Sequence, residues 1–165
     1  MQFKAEIEPI FFVDAMLGNI ARKLRLLGYD SQYFSDIYDE KLMDNAKKEK
    51  RIIISKDEEL IKRTQKLGIR SIYITKEYEV EQFFEIINNV NLKRFQINGD
   101  IARCPKCNSL TELIDKELIK KKIPYRVLKS NDKFWRCKCC NQVYWEGTHI
   151  KNMQEFVGKI NEGLQ

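Results

Sequence analysis

The chain reads as an α/β protein, a parallel sheet flanked by helices, followed by a small four-cysteine zinc ribbon and a terminal helix. Three observations predict this. Over the first hundred residues, short apolar runs alternate with amphipathic stretches at a rise of roughly twenty residues per unit, which is the grammar of βα repeats. Two cysteine pairs, Cys104-Pro105-Lys106-Cys107 and Cys137-Lys138-Cys139-Cys140, follow with 29 residues between them. The charge balance also shifts: residues 1–100 carry 17 Lys and Arg against 17 Asp and Glu, whereas residues 101–165 carry 13 against 7, the whole of the formal +6. The expected division is a body at 1–98 and a ribbon with its helix at 99–165.

The elements follow in order. Pro9 to Val13 is a short, continuous apolar strand. Leu17, Ile20, Ala21, Leu24 and Leu27 recur at helical spacing, and Gly28 closes that helix. Tyr29 to Phe34 makes a second strand, and Leu42, Met43 and Ala46 mark a second helix. Arg51 to Ser55 is the third strand; Leu60, Ile61 and Leu67 form a third helix with Gly68 at its end. Ile69 to Ile74 is the fourth strand, and Val80, Phe83, Phe84, Ile87 and Val90 share one face of a fourth helix. Apolar strands separated by amphipathic helices favour a parallel sheet covered on both faces. A last helix spans Ile150 to Ile160.

Two CxxC turns complete the tetrahedral sulfur shell that Zn²⁺ prefers, with Cys104, Cys107, Cys137 and Cys140 as ligands. Four protein ligands leave no open position, so the metal is expected to be structural. The long interval between the pairs calls for a small insertion or an extra hairpin. Disulfides are the competing reading, opposed by an odd count of five cysteines and by the lack of a charged segment followed by an apolar cleavable run at the N-terminus. Cys139 is left over as a bystander. With no stretch approaching a membrane span, the expectation is a cytoplasmic protein without membrane partners.

The basic surplus is dense locally, with Lys116, Lys120, Lys121, Lys122, Arg126, Lys129, Lys133, Arg136 and Lys138. A nucleic-acid partner and a merely solvated face both account for it. Lys120, Lys121, Lys122, Arg126 and Arg136 are the candidate nucleic-acid contacts. Tyr125, Phe134 and Trp135 are interleaved with them and could stack on unpaired bases, with core packing the alternative.

In parallel sheets the functional side chains gather beyond the carboxyl ends of the strands. Here they are acidic: Asp14 after the first strand, Asp36 and Asp39 after the second, Asp57 after the third. Carboxylates converging from three strand ends repel one another unless a divalent cation intervenes, and hard oxygen ligands suit Mg²⁺ or Mn²⁺. Asp14, Asp39 and Asp57 are the candidate ligands and catalytic acids, in an arrangement suited to phosphodiester cleavage. Asp39 and Asp57 also read as helix N-caps. Asp14 abuts an apolar strand and needs a partner. Asp30, Asp44, Glu40 and Glu58 are further candidates. Arg22 and Arg25 share a flank of the first helix and could steady a phosphate or simply face solvent.

Phe12-Val13-Asp14-Ala15-Met16-Leu17-Gly18, Leu24 to Asp30, Arg51 to Asp57, and the tail Cys137 to Cys140 leading into Tyr144-Trp145-Glu146-Gly147-Thr148-His149 together resemble the Mut-seven C-terminal ribonuclease domain family. The resemblance spans about residues 10 to 155. It implies a PIN-like nuclease fold with an appended zinc ribbon and metal-dependent ribonuclease activity. Asp14 matches that family's acid at the first strand end, Asp39 the acid seven residues before Ala46, and Asp57 the acid of a Thr-x-Asp-like turn. Ser55 stands where the family more often has threonine, and Lys56 where an arginine is common. RNA is the expected substrate, with rRNA, tRNA or the ribosome as target classes, and a homodimer is an expected assembly because PIN-like domains commonly dimerise.

A non-catalytic RNA-binding or ribosome-associated zinc-ribbon protein is the alternative, its acids serving as caps. A nucleotide-binding α/β protein is disfavoured, because no Gly-rich phosphate loop follows any strand. His149, the only histidine, is expected to start the last helix or contact the body.

Overall fold

The computed structural model describes residues 8–165. The chain divides into two compact units, Met1–Ala21 with Tyr29–Leu92, and Arg22–Gly28 with Lys93–Gln165. The division therefore falls at 92/93 and also runs through the first helix, where the expected single boundary lay at 98/99.

In the first unit, β1 (Phe11–Val13), β2 (Ser31–Tyr33), β3 (Ile52–Ser55) and β4 (Ser71–Tyr73) form a four-stranded sheet in the order β2-β1-β3-β4. Every pairing is parallel, with Phe12 opposite Gln32 and Ile53, and Ile54 opposite Ile72. The strands are shorter than their apolar runs suggested. Sheets of this kind are filled from both faces, and β1 and β3 are buried along their whole length.

The helices are α1 (Gly18–Leu26), α2 (Asp39–Glu49), α3 (Glu58–Lys66) and α4 (Glu79–Val90), with a single 3-10 turn, Ala15–Leu17, ahead of α1. Their apolar periodicity explains their packing. Leu42, Met43 and Ala46 of α2 and Leu60 of α3 meet Phe12 and Ile53 in one cluster. Phe11, one residue from Phe12 and hence on the opposite face, meets Tyr29 edge-on at 6.1 Å. Gly28 adopts φ +92, a left-handed conformation that stops α1 at low cost.

Strand order decides where a site can form. The chain moves from β1 outward to β2, then returns across β1 to β3 and on to β4, so its direction reverses between β1 and β3. That gap is the topological switch point, where the connections leaving the two strands part in opposite directions.

In the second unit, β5 (Thr111–Ile114), β6 (Phe134–Cys137) and β7 (Val143–Trp145) form an antiparallel sheet in that order. The insertion expected between the cysteine pairs consists of two short helices, α5 (Lys116–Ile119) and α6 (Tyr125–Ser130). Ile119, Leu128, Phe134 and Val143 form its small core. The terminal helix α7 runs Thr148–Gly163, longer at both ends than its apolar stripe indicated, and buries Met153, Phe156, Val157 and Ile160. No helix of the described residues is long and apolar enough to cross a membrane.

Candidate functional site

The β1/β3 switch point holds Asp14 and Ser55. Asp14 leaves β1 directly; its backbone N–H donates to the Ile54 carbonyl at 2.9 Å, which carries the parallel ladder one residue beyond the strand. Its Oδ1 accepts from the Ala15 N–H at 2.6 Å and so caps the 3-10 turn. Its Oδ2 accepts from the Ser55 hydroxyl, also at 2.6 Å. That hydroxyl in turn accepts from the Asp57 N–H at 2.9 Å. Ser55 is fully buried and Asp14 half-buried, and no ion pair from a described residue reaches Asp14.

Asp57 is exposed at the start of α3, where Oδ1 accepts from the N–H groups of Glu59 at 2.9 Å and Leu60 at 3.1 Å. The cap reading of Asp57 is therefore correct, and only Oδ1 is engaged by it. Asp39 is different. The residue preceding α2 is Tyr38, which makes no side-chain cap bond, so Asp39 is the first helical residue rather than the cap. Its carboxylate pairs with Arg63 of α3 at 3.0 Å, and Arg63 also holds Glu40 at 2.9 Å. The Asp14, Asp39 and Asp57 carboxylates do not fall within 4.8 Å of one another as a set. Ser55 links the Asp14 carboxylate to the backbone N–H of Asp57; Asp39 is tied to α3.

Other acids have structural duties. Asp30 and Glu49 grip the buried Arg51 at 2.6 and 2.5 Å, while Arg51 also donates to the Phe11 carbonyl at 3.2 Å. Burial works against the Arg51 charge, but the two carboxylates outweigh it and hold the guanidinium above its ordinary range. Glu58 pairs with Lys62 at 2.9 Å, and Asp44 is exposed.

Arg25 requires a correction. Its expected place was on an open flank, steadying a phosphate; it is 4% exposed, and its guanidinium donates to the Pro105 carbonyl at 2.7 Å. A buried guanidinium must be hydrogen-bonded, and the acceptor comes from 80 residues away, inside the first CxxC turn. Arg25 supports the cysteine loop. Arg22 is exposed.

The sulfurs of Cys104, Cys107, Cys137 and Cys140 all lie within 4.8 Å of one another, the only such group of three or more ligand residues among the described residues. Cys104 and Cys140 are 3.6 Å apart and Cys107 and Cys137 3.4 Å. A tetrahedron with metal–sulfur bonds of about 2.3 Å has edges of about 3.8 Å, so the set fits an ion such as zinc.

The two loops are built alike. In each, the first cysteine N–H donates to a carbonyl five residues on, Ser109 or Gln142, at 2.9 Å. The residue after the second cysteine, Asn108 or Asn141, takes positive φ, 67 and 59, and donates back to the first cysteine carbonyl. Asparagine tolerates that left-handed conformation better than most residues. The Cys139 and Cys140 N–H groups donate to Cys137 Sγ at 3.4 Å. Cys139 itself is exposed and stands outside the ligand set.

Tyr144, one residue beyond Val143 in β7, places its hydroxyl 2.9 Å from Cys104 Sγ. Burial and then the Cys104 sulfur push the phenol well above its ordinary range. Burial raises the Cys104 thiol. Burial opposes ionisation of Cys107 as well, but the Ser109 N–H and the Cys137 sulfur lead the groups that bring it down to about 6.

The expected RNA contacts divide. Lys121, Lys122 and Arg126 are exposed. Lys120 is exposed but pairs with Glu117 at 2.7 Å, and Arg136 is held by Glu112 at 2.7 Å. Phe134 and Trp135 are core residues, 0% and 6% exposed.

The sequence model of the Mut7-C RNAse domain matches residues 9–157. The chain belongs to that family. No curated protein matches it significantly, and no solved structure does. The Mut7-C match covers both units, so the acid-bearing sheet and the four-cysteine ribbon are parts of one family architecture. Within it, Ser55 and Tyr144 are the contributors that residue type alone left undervalued. Ser55 lies in an apolar strand two residues before an acid, a position from which a hydroxyl reaches the neighbouring strand's end; Tyr144 lies in the closing motif beside the second cysteine pair. Arg63 gave no sequence signal, because its partners lie 23 and 24 residues away on another helix.

Proposed function

We propose that this Mut7-C RNAse domain is a metal-dependent ribonuclease that hydrolyses RNA phosphodiesters at the carboxyl edge of β1 and β3. The observation that carries the reading is Asp14: a half-buried carboxylate at the topological switch point, hydrogen-bonded to Ser55 and free of any described cation. Hard carboxylate oxygens without an ion-pair partner suit Mg²⁺ or Mn²⁺. Asp14 and the second oxygen of Asp57 would hold the ion, joined by Asp39 once it leaves Arg63. Bound there, the ion would supply a lowered pKa for the attacking water and neutralise charge developing on the leaving oxygen.

The protein's own groups set the geometry. Ser55 fixes the rotamer of Asp14 by donating to Oδ2, and its acceptance from the Asp57 N–H anchors the start of α3 against the same loop. Arg22, exposed, is the remaining arginine for a phosphate. In the ribbon, Zn²⁺ on Cys104, Cys107, Cys137 and Cys140 serves structure, since four thiolates leave no position for water or substrate. The basic insertion supplies backbone affinity for RNA.

The second reading, a non-catalytic RNA-binding protein, draws on the Asp57 cap and the Asp39–Arg63 pair, both sufficient reasons for those acids to exist. A panel of structured and unstructured RNAs incubated with zinc-loaded protein separates the two. Cleavage that requires added Mn²⁺ or Mg²⁺ supports the nuclease. Binding without cleavage under every metal condition supports the module.

A further inference from the structure

Residues 118–131 contain Lys120, Lys121, Lys122, Arg126 and Lys129 and no acid. The ribbon folds this stretch as α5, a turn and α6, inserted between β5 and β6. Leu128 points α6 into the core with Ile119 and Phe134. Val127 packs partly against the same core, and the other residues of the helix are exposed. Tyr125 and Arg126 are exposed, as is Lys129, four residues after the first and three after the second, and so are Lys121 and Lys122 in the turn before them. Apart from Lys120, none of these cations forms an ion pair with a described residue.

Tyr125 is the unusual member. It is 77% exposed, whereas the other two aromatic candidates of the basic run, Phe134 and Trp135, are buried. A ring left in water among unpaired cations offers a stacking face with phosphate-binding groups on either side. Duplex RNA hides base faces and is read over about 16 base pairs, whereas six residues of helix extend only about 9 Å. The patch therefore fits a few unpaired nucleotides.

We propose that the α5–α6 insertion is a docking site for single-stranded RNA, with Tyr125 stacked on a base and Lys121, Lys122, Arg126 and Lys129 on the flanking phosphates. The inference rests on the ribonuclease reading only in taking RNA as the ligand.

The test measures anisotropy of fluorescein-labelled single-stranded and duplex RNA of equal length, with zinc-loaded Asp14→Asn protein and neither Mg²⁺ nor Mn²⁺ present. Binding is then read without cleavage, so the result stands apart from whether the wild type is a nuclease. Tyr125→Ala should weaken single-strand binding about tenfold, leave its salt slope unchanged and spare duplex binding, while Tyr125→Phe retains affinity. Lys121→Ala with Lys122→Ala should flatten the salt slope by about 1.4. Unchanged tryptophan emission checks that each variant folds. Single-strand affinity equal in Tyr125→Ala and its parent would overturn the proposal, as would equal losses on both RNAs. So would self-association that Tyr125→Ala abolishes, which would assign the patch to a second copy.

Discussion

Ser55 and Asp14 share a 2.6 Å hydrogen bond across adjacent parallel strands, and the same Ser55 oxygen accepts from the Asp57 backbone. One buried hydroxyl thus sets the position of two acids. Ser55→Ala leaves the Asp57 N–H and one Asp14 oxygen without this partner, which costs about 1–2 kcal/mol for a buried hydrogen bond. Denaturant unfolding should show that loss, and cleavage should fall with it. Ser55→Thr keeps the hydroxyl and should keep both properties.

Asp57 separates capping from chemistry. Asparagine is as good an N-cap as aspartate, whereas alanine loses about 1 kcal/mol. Asp57→Asn is therefore expected to unfold within a few tenths of a kcal/mol of wild type but to lose cleavage. Asp57→Ala should lose both. Full activity in Asp57→Asn would reduce this residue to its cap.

Arg63 holds Asp39 and Glu40 with its side chain 40% exposed, so the pairs contribute at most about 1 kcal/mol to stability. At the proposed metal site Arg63 would compete with the ion for the Asp39 carboxylate. Arg63→Gln should lower the Mn²⁺ concentration for half-maximal cleavage severalfold with little change in melting temperature. An unchanged metal requirement would remove Asp39 from the ligand set.

Both tryptophans of the chain, Trp135 and Trp145, lie in the ribbon sheet. Tryptophan emission consequently reports that unit alone. Removing the metal should shift the emission to the red and Zn²⁺ should restore it, because a sheet this small depends on its metal. Cys139→Ser should behave as wild type, and Cys140→Ser should resemble the metal-free protein.

A methyl group at Gly99 would lie 2.2 Å from the Trp135 ring. The indole is also fixed by its Nε1–H donating to Asp100 at 3.1 Å, so it cannot swing aside without breaking that bond. Gly99→Ala should destabilise the ribbon by about 1–3 kcal/mol, read from the midpoint of tryptophan emission in urea.

The sequence made β1 and β3 legible because β1 is apolar and β3 is apolar up to its closing Ser55, and it made α1 to α4 legible through their stripes. The cysteine ligands were legible because CxxC spacing is itself the geometry of a metal loop. Strand order was not, since periodicity describes each element alone, and the switch point appears only once β2 and β3 are placed on opposite sides of β1. Arg25 misled for the same reason. A helical stripe shows which side chains flank the core but not that a carbonyl 80 residues away waits for a guanidinium. The α5 and α6 insertion was legible as a length, and its exposed tyrosine only as one aromatic among three.

The most direct measurement is single-turnover cleavage of labelled RNA by wild-type and Asp14→Asn proteins in Mn²⁺, with RNA affinity and unfolding recorded on the same preparations. Asp14→Asn is expected to fold, to bind RNA as tightly as wild type and to leave it uncleaved. Cleavage by the folded variant at the wild-type rate would contradict the assignment of the β1/β3 switch point as the catalytic site.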